Sequence, residues 1–263
     1  MQTIRMLAAV LLFGTLVAGC AKAPPKEARM PEGRRTKLSI ALEREQLKIK
    51  ETTSTLRGLA WVELRTPEED WRTEAAVVIE RPDRIRMDAM DSLADVWAKL
   101  GTDGKDLWLY IPGKRKLYKG RVSSRNMKRL LSFEWEPWEF ISLIAGALPI
   151  ANEPEVMQVG AARNAYFIDR ASRLHMWTEK GKSMHVVRCV RYAKGSDDVD
   201  YEILFSDYRH KGGVSFPHVI EAVFPQQGAR LRVEYRDLKL GEEVADEIFA
   251  PPKRRGGKAE VSF

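Results

Sequence analysis

Cysteine is almost missing: Cys20 and Cys189 are the two in 263 residues. Two thiols cannot build the disulfide framework of a small exported domain. Long apolar runs are missing too. The longest, Met6 to Val17, is 12 residues, whereas a helix that spans a bilayer takes about 20. Histidine is scarce, with His175, His185, His210 and His218 the full set. The chain has no Gly-x-Ser-x-Gly elbow, no glycine-rich phosphate loop and no His-Glu-x-x-His. Those absences argue against a hydrolase, a nucleotide enzyme and a zinc protease, and the chain reads as a non-enzyme. No sign of charge dominates: 44 Lys and Arg stand against 37 Asp and Glu, a net of +7. So mild and scattered an excess slightly favours anionic membrane surfaces and is too weak to argue for nucleic acid. What remains is a globular composition, 44% hydrophobic and 31% charged, with material for a large core.

The first 20 residues have the three parts of an export signal. Arg5 is the basic start, Met6 to Val17 the apolar middle and Leu16-Val17-Ala18-Gly19-Cys20 the small-residue end. That ending resembles the bacterial lipobox, in which cleavage falls before the cysteine and the cysteine takes the lipid. By this resemblance residues 1–19 are a removed signal and Cys20 is the lipidated first residue of the mature chain. Each acyl chain contributes about 0.8 kcal/mol per buried methylene, and two or more hold a protein stably on a membrane. Ala21 follows, without the aspartate associated with inner-membrane retention in enteric bacteria. The expected location is therefore the periplasmic face of the outer membrane. Cys189 is then left without a thiol partner. It is expected to be a small, partly buried side chain.

Residues 20–36 carry prolines and charges without apolar periodicity and read as a tether. From Lys37 to Thr52 the spacing of Leu38, Ala41, Leu42 and Ile49 predicts a helix, with Thr36 as its N-cap. At Thr55 the period changes to two. Leu56, Gly58, Ala60, Val62 and Leu64 alternate with polar residues, as do Thr73, Ala75, Val77 and Ile79, then Ile85, Met87 and Ala89. Such alternation predicts strands with one apolar face. Thr102-Asp103-Gly104-Lys105 and Pro112-Gly113 are turn chemistry, the second suited to a type II turn. Two helices follow, over 123–131 and 137–147. Phe140, Leu143, Ile144, Ala147 and Leu148 form an apolar stripe on the second, widened by Ile141 and Ala145, and Gly146 and Pro149 end it. Strands resume after Glu153 and run to Leu240, with turns at Glu179-Lys180-Gly181-Lys182, Lys211-Gly212-Gly213 and Gln226-Gln227-Gly228. Residues 251–263 are rich in proline, glycine and cations and are expected to be a disordered basic tail.

The order of helix, strands, two helices and strands predicts an α+β fold over residues 37–250. It would be a curved antiparallel sheet of about 11 strands, an open half-barrel with its concave face covered by helices. That order resembles the LolA/LolB family of lipoprotein carriers, and most closely LolB. The resemblance rests on Thr55-Leu56-Arg57-Gly58-Leu59-Ala60 after the first helix, on Asp91-Ser92-Leu93-Ala94 in the loop where LolB exposes a leucine, and on Pro137-Trp138 through Gly146-Ala147-Leu148-Pro149. Two features depart from the family: Ser92 stands where LolB has a proline, and a charged tail follows Pro252.

The resemblance implies an envelope lipoprotein that takes acyl chains of lipoproteins or lipids into an apolar cavity and passes them to the outer membrane. It implies a periplasmic carrier as donor and a monomer that needs no cofactor. The expected cavity walls are Val62, Val77, Ile79, Ile85, Met87 and Leu109 from strands, with Phe140, Leu143 and Ile144 from the covering helix; Leu93 is the expected transfer residue. Trp61, Trp97, Trp108, Trp135 and Trp138 suit either a filled core or a cavity lining. His175 and His185 flank one turn, but two imidazoles fall short of the four ligands common in structural zinc sites, and no metal is expected. Glu68-Glu69-Asp70 and Asp197-Asp198-Asp200 read as solvated turn acids. The competing reading is a structural or interaction lipoprotein whose sheet packs a core and carries nothing.

Overall fold

A computed structural model describes residues 32–150, 154–159, 164–179, 184–252 and 259–262. Cys20, the signal, most of the tether and most of the 179–182 turn lie outside them. Helix α1 runs Glu32–Thr52, so the last residues assigned to the tether are helical and Thr36 sits inside the helix and does not cap it. Six strands follow: β1 (Thr55–Arg65), β2 (Asp70–Glu80), β3 (Arg84–Met90), β4 (Val96–Asp103), β5 (Asp106–Ile111) and β6 (Lys116–Arg121). Helices α2 (Ser124–Leu131) and α3 (Pro137–Ile144) interrupt them. Then come β7 (Glu155–Val159), β8 (Ala165–Asp169), β9 (Leu174–Thr178), β10 (Val186–Tyr192), β11 (Val199–Lys211), β12 (Val214–Phe224), β13 (Ala229–Leu240) and β14 (Ala259–Ser262).

All fourteen strands form one open, curved sheet in the order β14-β6-β5-β4-β3-β2-β1-β13-β12-β11-β10-β9-β8-β7. Thirteen succeed one another antiparallel, and β14 lies parallel to β6, from Ala259 beside Lys116 to Ser262 beside Lys119. The expected count of about eleven is short, although the strands expected near Val156 to Gly160, Ala165 to Asp169 and Arg173 to Thr178 are present as β7, β8 and β9. The tail also corrects an expectation, since Ala259–Ser262 is strand and not disordered chain.

The long strands form where the alternation is cleanest. Leu56, Ala60, Val62 and Leu64 of β1 join Ala75, Val77 and Ile79 of β2 and Ile85 and Met87 of β3 in one buried cluster. Cross-strand partners keep each set on the same face: Val77 lies opposite Gly58 and Met87, and Ile79 opposite Leu56 and Ile85. The same cluster takes Ile203 and Phe205 of β11, Phe216 and Ile220 of β12 and Leu231 and Val233 of β13. Burying each such side chain is worth about 1.5–3 kcal/mol, which makes this face the main source of stability. Gly58 permits the tight seam between β1 and β13. A Cβ there would stand 2.6 Å from Asp237 O, beside the bulge at Leu59/Ala60.

Turn and helix ends follow local chemistry. Asp103 Oδ1 accepts from the backbone N–H groups of Lys105 and Asp106, and Gly104 takes φ 89°. Pro112-Gly113 differs from expectation. Pro112–Lys114 is a 3₁₀ turn closed by Arg115 N–H to Pro112 O at 3.0 Å, and the left-handed residue is Arg115. Ser123 caps α2 by accepting from Asn126 N–H. Arg81 donates to Thr53 O and Lys50 O, satisfying carbonyls at the end of α1. Gly146, at φ 72°, stops α3 at Ile144, one turn earlier than the apolar stripe suggests.

Candidate functional site

Helix α3 is the element that most needs an explanation. Proline at its first turn fixes its start, and Pro137, Glu139, Phe140, Ile141, Ser142, Leu143 and Ile144 are all buried. Trp138 alone points outward, 45% exposed. Ala145, Ala147 and Leu148 continue the buried run beyond the helix. Two contacts tie α3 to the sheet and a third ties it to the link before it. Tyr235 Oη of β13 donates to Ile144 O at 2.8 Å. Arg191 of β10 pairs with Glu139. Phe140 meets Trp135 edge to face with ring centroids 5.4 Å apart. Burial pushes the Glu139 carboxyl above the ordinary glutamate range, and the Arg191 guanidinium beside it pulls the other way.

Eight of the nine expected wall residues belong to one large buried cluster. Val62, Val77, Ile79, Ile85 and Met87 share the buried cluster with Phe140, Leu143 and Ile144, and none of the eight is more than 7% exposed. Leu109 does not join them. It is half-buried opposite Leu100 and Tyr118, while Leu107, one repeat earlier on β5, belongs to the cluster. Trp108 points to the other face, where its indole N–H donates to Phe249 O at 3.0 Å and the segment around Asp246–Ile248 covers it. Cys189 is fully buried among the cluster residues, which raises its thiol pKa.

A second feature sits at the rim of the sheet. The turn between β3 and β4 is pinned by Asp91, whose Oδ1 accepts from Leu93 N–H at 2.9 Å and Asp95 N–H at 3.0 Å. Ala94 takes φ 64°, and Leu93 is left 81% exposed. Beside it a hollow of about 660 Å³ is lined by Trp61, Trp97, Met90, Thr73, Arg72 and the backbone turn. Trp97 is 45% exposed and anchored by its indole N–H on Thr73 Oγ1; Trp71 meets it edge to face at 6.4 Å. Arg72 stacks over Trp61 at 4.8 Å. The placing of Trp61 and Trp97 on one hollow, with Trp71 against Trp97, is not visible along the chain. Its one signal is that three of the first four strands, β1, β2 and β4, each carry a tryptophan.

The histidines do not meet. His175 lies opposite Val190, hydrogen-bonded to Tyr166 Oη, whereas His185 stacks on Tyr208 with Nδ1 2.7 Å from Glu179.

No family model and no curated protein matches this sequence. Solved structures do match its fold. A LolA superfamily protein from Nitrosomonas europaea superposes with a TM-score of 0.53 over 82% of this chain and 97% of that one, at 13% identity. A DUF1329 family protein from Desulfovibrio piger gives a TM-score of 0.53 over 82% and 97%, at 10% identity. These superpositions show that the chain shares its fold with both structures.

Proposed function

We propose that the protein is an envelope lipoprotein that receives acyl chains beneath α3 and delivers them to the outer membrane. The observation that carries the reading is α3 itself, an almost wholly apolar helix packed on the core face of an open sheet. In this reading the sheet is a half-barrel, its concave face is the one that α3 covers, and the helix lifts to admit a chain. Val62, Val77, Ile79, Ile85, Met87, Phe140, Leu143 and Ile144 would then line the chain, with Leu109 reached only by a chain extending past Leu107. Exposing an acyl chain to water costs about 0.8 kcal/mol per methylene, so a carrier must hide it and still release it. Leu93 and its tryptophan neighbours supply the releasing surface, since aromatic rings with a polar edge favour the membrane–water boundary.

Anchoring completes the reading. Residues 1–19 are a removed signal, Cys20 carries the lipid, and the chain up to α1 is the tether. Cys20→Ala abolishes incorporation of labelled palmitate and processing at Cys20; undiminished label in the variant refutes the anchor. Recovery of the native protein solely in inner-membrane fractions would refute the outer-membrane location.

The tight burial of the eight wall residues favours the alternative, a structural or interaction lipoprotein with a filled core. A bis-anilinonaphthalene dye decides between them. A carrier gives a saturable fluorescence signal that lipid displaces. Native protein with no saturable signal is a filled core.

A further inference from the structure

The positive excess, scattered by its totals, has one source along the chain. Residues 107–133 hold eight cations and no acid, which leaves 36 cations against 37 acids everywhere else. The fold keeps that run together, because β5, β6 and α2 follow one another directly and α2 touches β5. Seven of the eight cations are exposed. Lys114, Arg115 and Lys116 stand at the turn from β5 into β6, and Arg125, Lys128 and Arg129 on α2.

Carboxylates do little to neutralise this side of the protein. Asp106 takes Lys119 at 2.9 Å and reaches Arg121 at 3.7 Å. Glu260 of β14 lies beside Leu117, and Glu134 and Glu136 share the lining of one crevice with Lys128. Among the described residues, the six cations of the turn and of α2 form no ion pair. Held so close, they repel one another, and an anionic surface relieves that repulsion. On α2 the two sides divide cleanly. Met127 and Leu131 are buried, while Arg125, Lys128 and Arg129, spaced i, i+3 and i+4, share the outward face. Such a helix suits a layer of anionic head groups. The turn stands at one end of β6 and α2 at the other, about 20 Å apart at the rise of a strand. That span exceeds any single phosphate and matches an array of them.

We infer that the β5–β6 turn and the outward face of α2 form a docking surface for an anionic phospholipid bilayer. The inference takes from the envelope reading only the presence of a membrane, and adds to it which side of the protein turns to that membrane. Full-length protein is mixed with vesicles of phosphatidylcholine alone, or of phosphatidylcholine and phosphatidylglycerol in equal parts. Acetylation of each lysine by an N-hydroxysuccinimide ester is followed by peptide mass spectrometry. Lys114, Lys116 and Lys128 react about fivefold slower on the anionic vesicles than on the neutral ones. Lys194, exposed between β10 and β11, reacts alike on both. Molar sodium chloride removes the difference. Arg125→Gln with Arg129→Gln, both at exposed positions, loses most of the slowing at Lys128 and leaves the melting temperature unchanged. Equal rates on the two kinds of vesicle overturn the inference. Association with the neutral vesicles reports the lipid anchor separately, so the two readings fail independently. Slowing by poly-glutamate and not by anionic vesicles overturns the membrane assignment in favour of an acidic protein partner. Slowing that inorganic phosphate reproduces without vesicles overturns it in favour of a single bound anion.

Discussion

Leu93 is held outward by backbone, not by chance: Asp91 takes the N–H groups on either side of the turn and leaves the side chain nothing to fold against. Burying one leucine in a membrane is worth about 1.5–3 kcal/mol, too little to anchor a protein and enough to assist a transfer step. Leu93→Glu should leave thermal stability and dye binding intact and slow delivery of bound lipid to liposomes. Transfer at the native rate removes Leu93 from the mechanism. Two histidines make a prediction of another kind. Burial lowers the pKa of His175, with Arg170 adding to it, and burial lowers that of His218, whose Nδ1 lies 3.1 Å from Phe216 O. Charged residues around His218 act both ways, Arg209 and Lys211 lowering and Asp207 raising. A depressed histidine pKa in the folded state means that the unfolded chain takes the proton first. Stability is then full above the ordinary histidine pKa of about 6.5 and falls as pH drops from there toward the folded-state values. Replacing both by glutamine flattens the decline in melting temperature between pH 7.5 and 5.5; an unchanged slope assigns the decline to other groups.

At the scale of the element, α3 is where core and site compete. Leu143→Ala in a rigid core costs about 2–5 kcal/mol, because the cavity left behind does not collapse. Over a pocket that opens, the same change costs less stability and raises the rate of dye uptake. A large drop in melting temperature with unchanged dye binding makes α3 ordinary core. This is also the scale at which the chain was most readable. Alternation in Leu56–Leu64 and Ala75–Ile79 names the buried face because one side of those strands is wet. Parity does not say how far along a strand the core extends, so Leu107 and Leu109 look alike in sequence and only Leu107 reaches the cluster. Nor does it reveal that the outer face at Trp108 is covered by Phe249, 141 residues away. The crevice of about 510 Å³ lined by Trp135, Arg173, Arg191 and Tyr201 was less legible still, since those residues come from separate elements. Its one trace is Glu139, a carboxylate set in an otherwise apolar helix. Asp200, read as a solvated turn acid, lies in β11 and lines that crevice.

Across the whole molecule, the sheet consists of two arms that meet at β1 and β13. One arm runs from β1 out to β6, the other from β13 back to β7, and within each arm neighbours in space are neighbours in sequence. Such hairpin contacts close on the microsecond scale. The seam is different, for it joins Leu56 to Leu240 across nearly the whole described chain. Closing so long a loop is entropically costly and slow, and contacts of this kind govern folding rate. The order of events during folding follows. Each arm can begin pairing as it emerges, but the core under α3 cannot close until β13 arrives, and until then two sheet edges stand open to wrong partners. The last long strand to be delivered is the one that completes the centre of the sheet.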